Sequence, residues 1–465
     1  MKNAKVTNKN LRNALLTLTL TSVLQSCLLS SSSDKPYASN TNQATTCEAR
    51  TTASNMSADV DNMQNNDDLF QDVNEQEVTN FSASTLQDAD TLQSRTVRID
   101  VAQLKQRILE RRSNNFHLPL LNNKSVNVVL QEVKKYSDNN IVATGRTDND
   151  QLSNVTIVIN NDVMVANVGE QATEEHYEIR FAGNGIHTVK SVTDTDTECL
   201  TEEGGGSNTA NFVQPLNTQQ DTEATAMDAV PQIDVLVAYT PNALKNAGGS
   251  DAIKALIQMG VADSNKAYQN SGANLSLRLV GTLALTQAEA SFSSDLSALK
   301  GTSDGKWDAV HAERKRVGAD LVAVAAYYAN SSTAGIGYVG STYSSGFSIT
   351  KTTAFKQFSF THELGHNIGL NHSDGYENSS GRFRTVMAYG TYTRIPRFSN
   401  PALDYNGFAT GTSSNNSAKI LNANGAKVAG FSTSVTQSEN PTTSDPVTTP
   451  AEPCSDGETP PIASE

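Results

Sequence analysis

Three of the seven histidines in this 465-residue chain stand within eleven positions, in the run FTHELGHNIGLNH from Phe360 to His372. His362 and His366 are four apart, so on a helix their imidazoles project from one face, one turn apart, and can share a metal ion. Glu363 follows the first of them, where its carboxylate reaches the edge of the same face and can take a proton from a metal-bound water without being a ligand. Gly369 permits the positive φ of a sharp helix end, after which the returning chain delivers His372 as a third ligand. Three neutral imidazoles leave one position of a tetrahedral Zn²⁺ for water, the arrangement of a catalytic site. By the chain's own composition such a pattern arises by accident on the order of once in 10⁵ sequences. Zn²⁺ is the expected cofactor.

A second short run extends the pattern. TVMAY, from Thr385 to Tyr389, puts Met387 fifteen residues after His372. Together the two runs resemble the signature of the metzincin zinc endopeptidases, in which an elongated histidine motif is followed by a methionine in a tight turn. The resemblance implies that Met387 is a packed floor beneath the metal and not a ligand. Astacin-like and serralysin-like members carry a tyrosine at the offset of Tyr389, which implies a place near the metal or a hydrogen bond to the oxyanion of the tetrahedral intermediate. A buried structural tyrosine has the same spacing, so both readings stand. The segment 231–434 is most similar to the reprolysin-like branch, and within it to the bacterial peptidyl-Asp metalloendopeptidases. The similarity runs through IDVLVAYTP (Ile233 onward), GIGYVG (Gly335 to Gly340) and RIPRFSNP (Arg394 onward). One departure is that an Asp usually follows the third histidine directly in reprolysins, whereas here Ser373 intervenes before Asp374.

Elements able to hold these residues can be read around them. The apolar run IDVLVAYT predicts a buried strand, and Ile253, Ile257, Val261 and Tyr268 give 250–270 a helical period. A strand at NLSLRLVGTLAL, a helix from Trp307 to Val317 and a strand over 319–328 follow. Alternating strands and helices predict an α/β (α+β) catalytic domain with a mixed, mostly parallel sheet and an active-site helix. The resemblance further implies that an extended substrate pairs with an exposed strand edge. Gly335, Gly337 and Val339 are the candidate edge, with glycines allowing close backbone approach. Arg394 and Arg397, in the loop after Met387, can select an acidic residue just after the cleaved bond through a guanidinium–carboxylate pair. Each can equally pair with a structural acid such as Asp404.

Upstream, strand-like alternation over 96–200 (VNVVLQEVKKY, NIVATGRT, SNVTIVINNDVMVANVG, HYEIRFAGNGIHTVKSV), broken by DNN, TDNDQ, NND and GNG, predicts a β-rich module of hairpins. Polar segments surround it: a spacer over 27–95, a linker over 201–230, and a Pro-rich tail over 435–465. The β-rich module is either a pro-domain removed on activation or a permanent accessory module. Cys199, at its end, is either a latency thiolate for the open zinc position or a disulfide partner for Cys47. Cys454 completes an odd set of three, whose pairing the sequence does not fix.

Lys2, Lys5, Lys9 and Arg12 before an apolar stretch ending LQSC read as an export signal over 1–26, with Cys27 as the lipid-modified first residue of a surface-anchored or secreted protein. The membrane partner is then the N-terminal lipid alone. Net charge is -14, from 35 basic and 49 acidic side chains. This excludes nucleic acid as the main partner, because phosphate neutralisation needs clustered Lys and Arg. Hydrophobic residues make up only 37%, which the polar segments account for by diluting an ordinary core. The expectation is a monomeric zinc endopeptidase acting on proteins or peptides. The competing class is a surface-anchored binding protein or adhesin that keeps an inactive form of the fold.

Overall fold

The computed structural model describes residues 66–74, 91–110, 114–121, 124–170, 173–193, 199–203, 230–435 and 443–444. Cys27, Cys47 and Cys454, with the signal and lipidation readings, lie outside them.

The first lobe is a nine-stranded antiparallel sheet built from β1 (Phe70–Asp72), β2 (Thr91–Ile99), β3 (Asn115–Pro119), β4 (Ser125–Ser137), β5 (Asn140–Thr147), β6 (Asn154–Asn160), β7 (Val163–Glu170), β8 (Glu175–Gly183) and β9 (Ile186–Val192). The spatial order is β1-β2-β9-β8-β7-β6-β5-β4-β3. The turns sit where the sequence broke its alternation. Asn161 and Asn184 take φ of 53° and 50°, the left-handed conformation that Asn tolerates in two-residue hairpin turns. Helix α1 (Val101–Glu110) places Val101, Leu104 and Ile108 in one core with Val155, Ile157 and Ile159 of β6. The sheet begins before the stretch read as a hairpin domain, since Phe70–Asp72, inside the expected spacer, pairs with Val97–Ile99.

The second lobe carries β11 (Gln232–Tyr239), β12 (Ser276–Ala284), β13 (Leu321–Ala326), β14 (Gly335–Val339) and β15 (Phe347–Lys351), preceded in the chain by β10 (Cys199–Glu203). The sheet order is β10-β14-β15-β13-β11-β12, ending on the two-residue strand Thr443–Ser444. All neighbours run parallel except β14 and β15, so the sheet is mixed and mostly parallel, as the alternation implied. Five helices follow the first-lobe α1 before the last: α2 (Pro241–Ala247), α3 (Ser250–Asn270), α4 (Phe292–Lys300), α5 (Ala309–Val317) and α6 (Ser359–Ile368); α7 (Ser417–Val428) closes the lobe. Period-2 side chains of β11 sort between the faces. Ile233, Val235 and Val237 join the core with α3 and α6, while Leu236 and Ala238 face α4 and α5.

Two differences from the sequence reading matter for the site. The residues 201–203 belong to β10, not to a linker. The lobes also share one core: Val142, Val158, Val163 and Val165 of the first lobe cluster with Ala252, Leu256 and Met259 of α3. Every position of β6 is buried for that reason, one face packing inside its own lobe and the other on α3.

Candidate metal centre

Helix α6 starts at Phe358, held in the left-handed region at φ 59°, and stops at Gly369 with φ 107°. Gly369 donates from its backbone N–H to the His366 carbonyl, so the chain reverses and returns as a short turn over His372–Asp374. That turn is closed by Asp374, whose carboxylate accepts from the Asn371 N–H at 2.7 Å. Asp374 therefore holds the loop that presents His372, one residue later in the chain than in the reprolysin pattern.

The three ring Nε2 atoms converge. His362 to His366 is 3.0 Å, His366 to His372 is 3.2 Å, and His372 to His362 is 3.1 Å. Opposite them, His362 Nδ1 lies 2.8 Å from the Val386 carbonyl and His366 Nδ1 lies 2.7 Å from that of Leu370. A carbonyl accepts only, so those two Nδ1 atoms carry the protons and their Nε2 lone pairs point at one another. Lone pairs facing at such distances are stable around a cation, and tetrahedral Zn–N bonds of 2.0–2.1 Å imply a separation of about 3.3 Å. Burial, followed by the neighbouring rings, pulls His362 well below its ordinary pKa and His366 down to about 3. Burial, followed by Arg394, takes His372 down to about 4. All three are thus neutral imidazoles at pH 7, the form that binds a metal. The donor set fits Zn²⁺.

Glu363 is fully buried, and neither carboxylate oxygen meets an N–H or O–H donor. Burial pushes its pKa up to about 8, against the Cys199 thiol and Arg394, which pull it down. A Cβ on Gly335 would stand 2.5 Å from Glu363 Oε1, and one on Gly337 would stand 3.2 Å from Oε2. These glycines thus let β14 pass over Glu363, a different use of small residues from the substrate approach for which they were singled out. Gly365 has a similar use, since a Cβ there would meet Met387 Sδ at 2.7 Å. Met387 is fully buried beneath the helix.

Cys199 is buried beside the centre. Its thiol, the Glu363 carboxylate and a His362 ring nitrogen lie within 4.8 Å of one another. Burial, and then the Glu363 charge, raises the thiol well above its ordinary pKa. From Cys199 the chain runs parallel to β14, pairing Cys199 with Gly335 and Glu203 with Val339. The strand edge predicted for substrate is therefore covered by the chain's own β10. Tyr389 donates its hydroxyl to the Cys199 carbonyl at 2.6 Å and its ring lies 4.2 Å from that of His372. It is 41% exposed, which removes the buried structural reading. A cleft of about 790 Å³ is lined by Leu200, next to Cys199 in the chain, and by Lys245, Glu289 and Tyr327.

The two arginines part company. Arg394 is buried, donates from Nη1 to the Gln357 carbonyl at 2.9 Å, and lies close enough for its charge to act on Glu363, His372 and Tyr389. Arg397 instead donates to the Asn270 carbonyl at 2.9 Å and stacks over Tyr405. Neither pairs with Asp404 in any contact described. Sequence reasoning passed over Asn367, whose buried amide donates to the Tyr338 and Phe347 carbonyls at 2.9 and 3.0 Å and pins α6 to β14 and β15. Its signal was a polar residue on the helix side facing away from the metal.

The profile of the reprolysin-like metallopeptidases of family M12B matches residues 229–417. A peptidyl-Asp metalloendopeptidase of Stenotrophomonas maltophilia (strain K279a) is 33% identical over 222 residues, 43% of this chain and 52% of the relative, so the match spans about half of that relative's length. A second, from strain R551-3, is 29% identical over 319 residues, 63% of this chain and 74% of the relative. Among solved structures, metalloproteinase-II from Bacteroides fragilis is similar at a TM-score of 0.41 and 11% identity, covering 68% of this chain and 93% of that one.

Proposed function

We propose, from the premise that residues 229–417 form a metallopeptidase domain of the reprolysin-like M12B family, that the protein is an exported zinc endopeptidase held latent by its own residues 199–203. The observation that carries this reading is the convergence of three Nε2 atoms within 3.2 Å of one another beside a buried carboxylate lacking N–H and O–H donors.

His362, His366 and His372 would hold the zinc, which when bound acidifies water and polarises a carbonyl. Glu363 takes the proton of the attacking water and passes it to the leaving amine. Its burial without N–H or O–H donors leaves both oxygens free for that double duty. β14 offers main-chain groups to an extended peptide, giving affinity independent of sequence. Tyr389, freed from the Cys199 carbonyl, would donate its hydroxyl to the developing oxyanion. Arg394 would face the side chain just after the cleaved bond and favour Asp or Glu there. That preference is also supported by the name of the similar enzymes, peptidyl-Asp metalloendopeptidases. Cys27 would carry the lipid, which labelled palmitate lost in Cys27→Ser would test.

Latency is supported by the position of β10: it covers the edge a substrate would use, and its thiol lies within 4.8 Å of the Glu363 carboxylate and a His362 ring nitrogen. Metal analysis and casein hydrolysis test the core of the reading. Bound zinc is expected at one per chain, cleavage should stop with a chelator, and Glu363→Ala should keep the zinc while losing roughly 10²–10⁴-fold in rate. Undiminished cleavage by Glu363→Ala with zinc bound would sink the mechanism.

A further inference from the structure

The interface between the lobes is built as an interior. Val142, Val158, Val163 and Val165 meet Ala252, Ala255, Leu256 and Met259 of α3 in a single buried cluster. Buried polar groups of the second lobe are satisfied across it. Asp263, on α3, is fully buried; Oδ1 accepts from the Thr156 hydroxyl at 2.6 Å and the Asn154 amide at 3.4 Å, and Oδ2 from the Asn167 amide at 3.3 Å. All three donors belong to the first lobe. Lys356, also fully buried, faces Glu178 of β8 at 3.4 Å, and its carbonyl accepts from Asn167 at 3.2 Å. The apolar contact supplies the drive to stay docked, and the buried polar pairs fix its register, since a misplaced lobe would leave Asp263 buried without donors.

Chain connectivity adds the second half. The polar stretch 204–229 follows β10, whereas β10 is joined to β9 by the few residues between Val192 and Cys199. A cut in 204–229 therefore leaves β10 attached to the first lobe. We propose that the first lobe is a lasting subunit of this protein: after the chain is cut between 204 and 229, it stays docked on α3 as a separate, noncovalent partner. The docking goes beyond the peptidase reading and stands without it. Only its consequence, that this cut alone does not withdraw Cys199, rests on the latency reading.

The test uses the full chain with Glu363→Ala to prevent self-digestion, an affinity tag on the first lobe, and a specific protease site inserted between Gly205 and Gly206. After cutting, size-exclusion chromatography at about 0.1 µM, a dilution that separates micromolar complexes, should return both fragments together at the volume of the uncut chain. Separate elution of the two fragments overturns the proposal. Val158→Asp puts a charge into the shared cluster and should split the cut fragments while the tagged lobe keeps its β-sheet circular dichroism; Thr156→Val, which removes one donor to Asp263, serves if that variant does not fold. Co-elution unaffected by every folded interface variant would also overturn the proposal, since the docking would then lie elsewhere. Because the protein under test is catalytically dead, the outcome is independent of whether the peptidase assignment holds.

Discussion

Asp263→Asn should abolish a pH dependence of stability that the native chain carries. Burial raises Asp263 from 3.8 to about 6, against the hydrogen bonds from Thr156, Asn167 and Asn154 and the charge of Arg180. Its pKa is higher in the folded protein than unfolded, so the folded protein binds the proton more tightly. Stability is then full below the unfolded value, falls as pH rises between the two, and reaches its floor above about pH 6. Two units correspond to roughly 3 kcal/mol at 1.36 kcal/mol per unit. An amide cannot ionise, and its oxygen, kept at the Oδ1 position, still accepts from the Thr156 hydroxyl and the Asn154 amide, whereas its NH₂ faces the Asn167 amide and loses that one hydrogen bond at every pH. The assay is the thermal midpoint of the full chain, carrying Glu363→Gln, between pH 4 and 7.5. The unsubstituted Asp263 protein should lose about 6 °C across that range, at about 2 °C per kcal/mol, and the Asn variant should lose little of it. An equal fall in both proteins would refute the assignment of that proton to Asp263, and with it the view of the interface as a sealed interior.

Three further outcomes follow from the centre. Cys199→Ala should keep its zinc and raise peptide hydrolysis by the uncut chain on the order of tenfold or more, read against a fluorogenic peptide; no rise at full metal loading counts against latency. Gly365→Ala would press a methyl on Met387 Sδ and should cost about 1–3 kcal/mol in denaturant unfolding, the usual range for overpacking; an unchanged midpoint would show that the methionine moves freely. Arg394→Gln should lower kcat/KM for peptides with Asp after the cleaved bond far more than for those with Ala there, and peptide-library cleavage that shows the same preference before and after the substitution removes the specificity role.

What the sequence disclosed, and what it hid, follows from how each feature is stabilised. His362, Glu363 and His366 had to lie within one turn of helix to meet, and Gly369 had to end that helix for His372 to return, so local spacing recorded the centre. The hairpins of the first lobe were equally legible, because Asn161 and Asn184 mark turns that few other residues tolerate. Asp263 left no such trace: its three donors lie 96 to 109 residues away, and a buried carboxylate on an amphipathic helix reads as a solvated one until its partners are known. β10 was hidden for a further reason. It joins the sheet by pairing its backbone with β14, Cys199 opposite Gly335 and Glu203 opposite Val339, far apart in the chain, and main-chain hydrogen bonds demand no alternation of side chains. CLTEE therefore reads as the start of a polar linker. A strand edge that accepts many peptide sequences must recognise what they share, which is the backbone; a segment of the same chain that occupies this edge is for that reason the part of the fold with the weakest signature in its side chains. Its thiol alone carries a chemical signature, lying within 4.8 Å of the Glu363 carboxylate and a His362 ring nitrogen, and Cys199 was the one residue of β10 that the sequence could single out.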